Sequence, residues 1–313
     1  MDVARHPLAI PHFNRLDMHG KFDSLIDSYH KNGIVYLENF IDTADRERIS
    51  HEIGLAQHHA EEDLEKHWNN KKLCFFSRDA AKAVHNNEYA SDPYFLSSGD
   101  KAHIFYEATD DAYSVNRIGH GLHLRPEYPT ISKLVYDRDD LKELLRAFGH
   151  KSPICQLSVF IPKHPFEIGS DVRPHQESTF AHTEPPTAIV LWIALEDAHL
   201  DNACMWGILG SNNWPLKYIS RVDHVHRCRR FEKINDVDIP DFDARNELFT
   251  PLPVARGDAL MFHGNFVHCS PINCSDRARP AISFQFLDTA CARYSDTNWL
   301  QPPNTRYLYS SAH

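Results

Sequence analysis

His175 and Glu177 are separated by one residue, so on an extended strand they point the same way and can offer an imidazole and a carboxylate together. A third donor is available far downstream at His268. Two histidines and one carboxylate that bind one face of an ion and leave positions open form the facial triad of non-haem Fe(II) oxygenases. Ser270 and Arg279 follow His268. A guanidinium pairs with a carboxylate through two parallel hydrogen bonds, so Arg279 could hold a dicarboxylate, with one more bond from the Ser270 hydroxyl. Arg277 is its rival; Arg279, which shares the parity of Ser283 and Gln285 on a strand, is the preferred of the two.

These spacings stand against a crowded background, since 22 of the 313 residues are histidine. His175 could be a satisfied loop histidine, Glu177 a surface acid, and His268 one of two histidines flanking a turn. His224-x-His226 and His120-x-x-His123 look equally metal-like, but neither has a carboxylate and an arginine placed after it in this way.

Elements must position these groups. Phe22, Leu25, Ile26 and Tyr29 recur at helical spacing, which predicts a helix over 20–31 ended by Asn32-Gly33 and followed by a strand at 34–37. Asp42 or Thr43 can cap a second helix through about His67, whose Glu61, Glu62, Asp63 and Glu65 read as a solvated face. Residues 68–130 are irregular and aromatic, and a helix over 139–148 stops at Gly149. Beyond Pro153 come apolar runs of strand length at 154–161, 188–195, 204–209, 258–263 and 281–287. Val190, Trp192 and Ala194 share one face of their run, with Ile189, Leu191 and Ile193 opposite; Arg279, Ala281, Ser283 and Gln285 oppose Ile282, Phe284 and Phe286. A bulky apolar face with a small or polar reverse predicts a barrel wall packed outward and lining a cavity inward. The fold class is therefore α+β, with helices flanking a β sandwich or barrel. The basic stretch 226–230 reads as exposed loop in a polar insert.

Composition narrows the function classes. The chain is 42% hydrophobic and 24% charged, a globular balance. A net charge of −10 argues against nucleic acid as partner, because such binders need a basic surface to displace counterions. No apolar run reaches the roughly 18 residues of a membrane span, and Met1–Phe13 lacks a signal pattern. Seven scattered cysteines without Cys-x-x-Cys read as reduced thiols, so the expected compartment is cytoplasmic.

The text around these residues resembles the phytanoyl-CoA dioxygenase (PhyH) family. The resemblance is carried by Pro174-His175-Gln176-Glu177-Ser178-Thr179-Phe180, Thr183-Glu184-Pro185, Leu191 through Ala198, Asn202-Ala203-Cys204-Met205-Trp206 and Gly210-Ser211. His263-Gly264 through His268, Asp276-Arg277-Ala278-Arg279 and Asn298-Trp299-Leu300-Gln301-Pro302 look closest to its domain-containing protein 1 subgroup. The similarity runs from about Gly20 to Pro303. It implies a double-stranded β-helix (a cupin-like jelly roll) with N-terminal helices, one domain over 1–313: a flank to 150, most of the core over 151–290, and a tail. It implies Fe(II), 2-oxoglutarate as cosubstrate and O2. His175, Glu177 and His268 take the metal-ligand places, Arg279 the place that binds the distal carboxylate, and Ser270 and Trp192 lie beside the cosubstrate. Arg117, where relatives have lysine, also touches it. The family usually has His-x-Asp, whereas this chain has glutamate at 177, one methylene longer.

The expected activity is hydroxylation of an unactivated C–H bond in a small or lipid-like substrate, with release of succinate and CO2. Two other readings stay open: an inactive relative that binds metal or a carboxylate ligand, and a jelly-roll metalloenzyme of another class, such as an isomerase. No phosphate-cradling glycine loop points to an acyl-CoA.

Overall fold

Leu25 and Tyr29, one turn apart, bury one face of the first helix, while Asp42 accepts the Asp45 backbone N–H at 2.7 Å and caps the second. The computed structural model describes residues 10–15, 22–68, 74–76, 93–108, 113–166, 168, 171–226, 228–301 and 308; Gly20, Lys21, Arg227 and the end of the last family motif lie outside them. The first half carries β1 (His12–Asn14), α1 (Phe22–Asn32), β2 (Ile34–Glu38), α2 (Thr43–Trp68), β3 (Cys74–Phe76), α3 (Pro93–Leu96), β4 (Ala102–Ala108), β5 (Tyr113–His120), α4 (Pro129–Tyr136) and α5 (Asp139–Ala147). The core continues with β6 (Pro153–Ile161), β7 (Val172–His175), β8 (Thr183–Glu184), β9 (Ile189–Ala194), β10 (Met205–Gly207), β11 (Tyr218–Asp223) and β12 (Cys228–Lys233). It closes with β13 (Thr250–Leu252), β14 (Ala259–His263), β15 (His268–Ser270), β16 (Ala281–Asp288) and β17 (Arg293–Tyr294).

Among the described residues, two sheets form the jelly roll. The larger runs β1-β2-β14-β9-β16-β6-β5-β4-β3, and the smaller runs β13-β10-β15-β7. Ile189, Leu191, Ile193, Ile282, Phe284 and Phe286 pack outward in one core with Leu25 and Tyr29 of α1 and Ile49 and Ile53 of α2. Val190, Trp192 and Ala194, with Phe262 of the adjacent β14, turn inward to a second core with Met205, Trp206, Leu252 and Cys269 of the facing strands. The two-faced strands predicted from sequence thus form the wall between an outer helical layer and an inner core. No helix among the described residues is long and apolar enough to cross a membrane.

Two expectations change. Within 68–130, the structure places the antiparallel pair β4–β5, and helix α4 begins at the end of this range; alternation and periodicity revealed neither. The basic stretch is not loop throughout: Arg229 and Arg230 belong to β12, paired with β11, and 224–226 form a turn. Arg229 is buried there, its guanidinium 4.3 Å from the Phe231 ring centre.

Candidate metal and dicarboxylate site

His175 closes β7 and His268 opens β15, and the two are register partners across the smaller sheet. Pairing them places their ring centres 4.3 Å apart. Glu177 begins a single helical turn, Glu177–Thr179, that must lie against this pair. Gln176 anchors it: the buried amide donates to the Asn265 and Pro215 carbonyls at 3.1 and 3.3 Å and accepts the Lys217 N–H at 3.0 Å. The Ser178 N–H donates to the Gly264 carbonyl at 2.9 Å, and a Cβ on Gly264 would collide with Ser178 Oγ and Ala188. Only glycine permits that approach.

Glu177 Oε1 lies 3.2 Å from His175 Nε2 and 3.4 Å from His268 Nε2, and one donor atom from each of the three falls within 4.8 Å of the others. Donors about 2.1 Å from one ion at right angles stand about 3 Å apart, so the spacing suits adjacent positions on a metal. The tautomers suit it as well. His175 Nδ1 faces the Arg173 carbonyl at 2.8 Å and His268 Nδ1 the Phe266 carbonyl at 3.0 Å. A carbonyl only accepts, so each Nδ1 carries a proton, and Nε2, which donates to Glu177 when it is protonated, is the nitrogen that can offer its lone pair to a metal. The second oxygen of Glu177 accepts a 3.4 Å contact from the Gln285 amide, which is buried on the inner face of β16. The longer glutamate side chain thereby reaches both imidazoles.

Electrostatics agree with the geometry. Burial pushes the Glu177 carboxyl up, but hydrogen bonds and charge from His175 and His268 outweigh it and hold the carboxyl well below the usual range. Burial works against charge on His175, yet Glu177 raises its pKa on balance; burial and the neighbouring His175 lower that of His268. His175 and Glu177 stay 22% and 24% exposed at their side chains, so the site has an open mouth.

Arg279 sits just before β16, 3% exposed. Its Nε donates to the Ala203 carbonyl at 3.1 Å, another nitrogen donates to Ser270 Oγ at 3.2 Å, and the guanidinium lies 5.3 Å from the Trp192 ring centre. Burial brings its pKa down to about 10, so it stays charged at neutral pH. Among the described residues no carboxylate lies within ion-pair distance of it. A buried cation without a counter-charge costs several kcal/mol, which a carboxylate ligand would relieve. Arg277, the rival, is exposed and paired with Asp201 at 2.7 Å. Arg117, on β5, donates to Asn116 Oδ1 at 2.8 Å and lies within electrostatic reach of His175.

The structure therefore brings His175, Glu177 and His268 together, and sets Ser270 and Trp192 beside Arg279, with Arg117 within electrostatic reach of His175. The other histidine pairs have ordinary partners. His120 and His123 are buried against Ser98 and Ser158, His224 meets the Asn298 carbonyl, and exposed His226 pairs with Asp223. Sequence reasoning assigned no role to Gln285 or Gln176; the inward parity of Gln285 was its only signal.

A family model described as Phytanoyl-CoA dioxygenase (PhyH) matches residues 29–281. Phytanoyl-CoA dioxygenase domain-containing protein 1 of Bos taurus is 32% identical over 291 residues, covering 89% of this chain and 94% of that protein. Phytanoyl-CoA dioxygenase 1 of Oryza sativa subsp. japonica is 32% identical over 71% of this chain and 79% of its own length. Among solved structures, AviO1 from Streptomyces viridochromogenes superposes with a TM-score of 0.55 at 16% identity, covering 87% of this chain and 97% of that one. The epimerase SnoN, in complex with Fe3+, alpha ketoglutarate and nogalamycin RO, superposes with a TM-score of 0.53 at 16% identity, covering 88% of this chain and 86% of that one.

Proposed function

The chain belongs to the phytanoyl-CoA dioxygenase (PhyH) family, and from that premise we propose that it is an Fe(II)- and 2-oxoglutarate-dependent oxygenase. Its reaction is hydroxylation of an unactivated C–H bond in a small or lipid-like molecule. The observation that carries the reading is the pairing of two features along β15, which carries both His268 and the Ser270 that Arg279 bonds. His175, Glu177 and His268 offer three donors on one side of a point, and a buried Arg279 without an acidic partner among the described residues awaits an anion.

The residues fit the two groups. His175, Glu177 and His268 would hold the metal, and Arg279 with Ser270 would hold the distal carboxylate beside Trp192, with Arg117 near the metal end. When bound, Fe(II) and 2-oxoglutarate supply the oxidising chemistry, in which O2-driven decarboxylation to succinate and CO2 is coupled to hydroxylation. The protein does the rest. The carbonyls of Arg173 and Phe266 fix the imidazole tautomers, and Gln285 holds the free oxygen of Glu177 so that one oxygen faces both histidines. The apolar inner core, including Val190, Trp206 and Phe262, keeps water from the cosubstrate side.

The test is succinate formation by the purified Fe(II)-loaded protein, together with 2-oxoglutarate binding to the Ni(II)-loaded form. Turnover should need Fe(II) and vanish in Glu177→Ala. Arg279→Met should weaken 2-oxoglutarate binding roughly 100-fold, because removing one partner of a buried charge pair costs about 2–5 kcal/mol. Equal affinity in Arg279→Met and the native protein would reject the clamp. Glutamate in place of the family's aspartate favours one second reading, a binder without turnover; tight metal and 2-oxoglutarate binding with no succinate would select it.

A further inference from the structure

Phe180 directly follows the turn that carries Glu177, and its ring lies edge-on to the His175 imidazole, 6.0 Å between centres at 64°. From there the aromatic contacts continue outward onto the β11–β12 hairpin. Phe231 of β12 stands 6.3 Å from Phe180 at 85°, and Tyr218 of β11 stands 6.5 Å from Phe231 at 79°. Register explains the alignment. Ser220 pairs with Phe231 and lies two residues from Tyr218, so both rings share one face of the hairpin. Arg229, on the same face, holds two of the rings in place. Its guanidinium is 4.3 Å from the Phe231 ring centre and 5.5 Å from that of Phe180, and its Nε donates to Ser220 Oγ at 2.8 Å. Phe180 is half-buried, whereas Tyr218 is 36% and Phe231 48% exposed, so the line runs from a site residue out to solvent. Contiguous exposed apolar surface of this kind marks a binding site. The hairpin is also basic against the trend of the chain: residues 217–236 hold six Lys or Arg and three Asp or Glu, while the whole chain carries −10. The Lys217 ammonium ends the line, 5.5 Å from the Tyr218 ring centre.

Resting on the oxygenase reading, we propose that this aromatic line binds the substrate, and that the substrate is a ring-bearing small-molecule anion. Its ring lies against Phe180 and Phe231 beside His175, and its anionic group points outward to Lys217. Three features select that class. Aromatic side chains gain from edge-to-face or offset contact with a flat ring, beyond the area buried, and a flexible chain lacks that gain. Such a chain also loses more freedom when it is laid on a rigid wall. The surplus of positive charge on the hairpin draws an anion out of solution. Continuity with His175 sets the ring, rather than the charged end, next to the three donors. Phe180 and Phe231 are thus specificity residues, and Arg229 is a positioning residue that acts through their rings.

Paramagnetic relaxation of probe protons, measured with the full chain loaded with Mn(II) and saturated with 2-oxoglutarate, reads this placement without turnover. The probes are 2-naphthoate, its neutral counterpart 2-naphthylmethanol, and octanoate, a carboxylate without a ring; the Zn(II)-loaded chain is the diamagnetic reference. Of the three, 2-naphthoate should bind most tightly, and its protons farthest from the carboxylate should relax fastest. Phe231→Leu keeps an apolar side chain but removes the ring, and it should weaken 2-naphthoate about 3- to 10-fold with little effect on octanoate. Phe231→Tyr should restore the native affinity. Lys217→Met should weaken 2-naphthoate about 2- to 5-fold and leave 2-naphthylmethanol unchanged. Octanoate bound as tightly as 2-naphthoate, fastest relaxation at the carboxylate end, or native affinity in Phe231→Leu would each overturn the proposal. With Mn(II) and 2-oxoglutarate still bound, those outcomes leave the oxygenase reading intact. A chain that binds neither Mn(II) nor 2-oxoglutarate would overturn both.

Discussion

At Glu177 a single methylene separates this chain from its family's usual aspartate, and the structure shows how the extra length is absorbed. One oxygen reaches both imidazoles while the other rests on the Gln285 amide. Outer partners of this kind tune a metal site because they decide where the ligand's lone pairs point. Gln285→Leu should therefore weaken metal binding about 10- to 100-fold while leaving the fold's thermal stability nearly unchanged. Competition titration with a chromophoric chelator reads the affinity directly, and an unaltered value would show that Gln285 does not orient the carboxylate. Gln285 was legible in the sequence only as an inward-facing polar residue, because its partner is 108 positions away in the chain.

Three elements meet at the triad: the end of β7, the turn at Glu177–Thr179 and the start of β15. The tight turn between β14 and β15 brings Gly264 onto Ser178, with the Gly264 N–H donating to the Ala188 carbonyl at 2.6 Å. Gly264→Ala would drive a methyl into Ser178 and Ala188, and forced overpacking of this kind costs about 1–3 kcal/mol. The variant should unfold at lower denaturant and bind metal less tightly, since the strain falls between Glu177 and His268. Loss of stability with native metal affinity would show that the turn carries the fold but not the site. The β11–β12 hairpin also touches this region: Arg229 packs on Phe231, and Phe180 lies 6.0 Å from the His175 ring. Its strands were hidden in the sequence by charge, since Arg229 and Arg230 read as solvent-exposed loop.

At the scale of the whole molecule, the abundance of histidine acts on stability more than on chemistry. Burial lowers the pKa of His103 and His263 to about 4, and it lowers His120 and His150 as well. In the unfolded chain these imidazoles take up protons near pH 6.5, so acid favours unfolding. The sign follows: folded values below the unfolded one give stability that is complete above about pH 7 and is lost as pH falls toward 4. Each such group contributes a slope of at most about 1.4 kcal/mol per pH unit in that window. Urea midpoints should fall steadily from pH 7.5 to 5, and a flat profile would contradict the assignment of neutral buried imidazoles.

The sequence by itself determined the elements whose signals are local. Helix α1 and strands β6, β9, β14 and β16 follow from spacing along the chain, as does the inward face that carries Trp192 and Gln285. Family motifs, which are contiguous, also named the candidate ligands. The tertiary structure alone decided which groups meet. Pairing β7 with β15 sets His175 opposite His268, and burial separates Arg279 from exposed Arg277. It also gave His120, His123, His224 and His226 ordinary partners in place of a metal. Such contacts depend on register and desolvation, which arise only when distant segments close on one another. Periodicity encodes which way a residue faces, but not what waits on the other side.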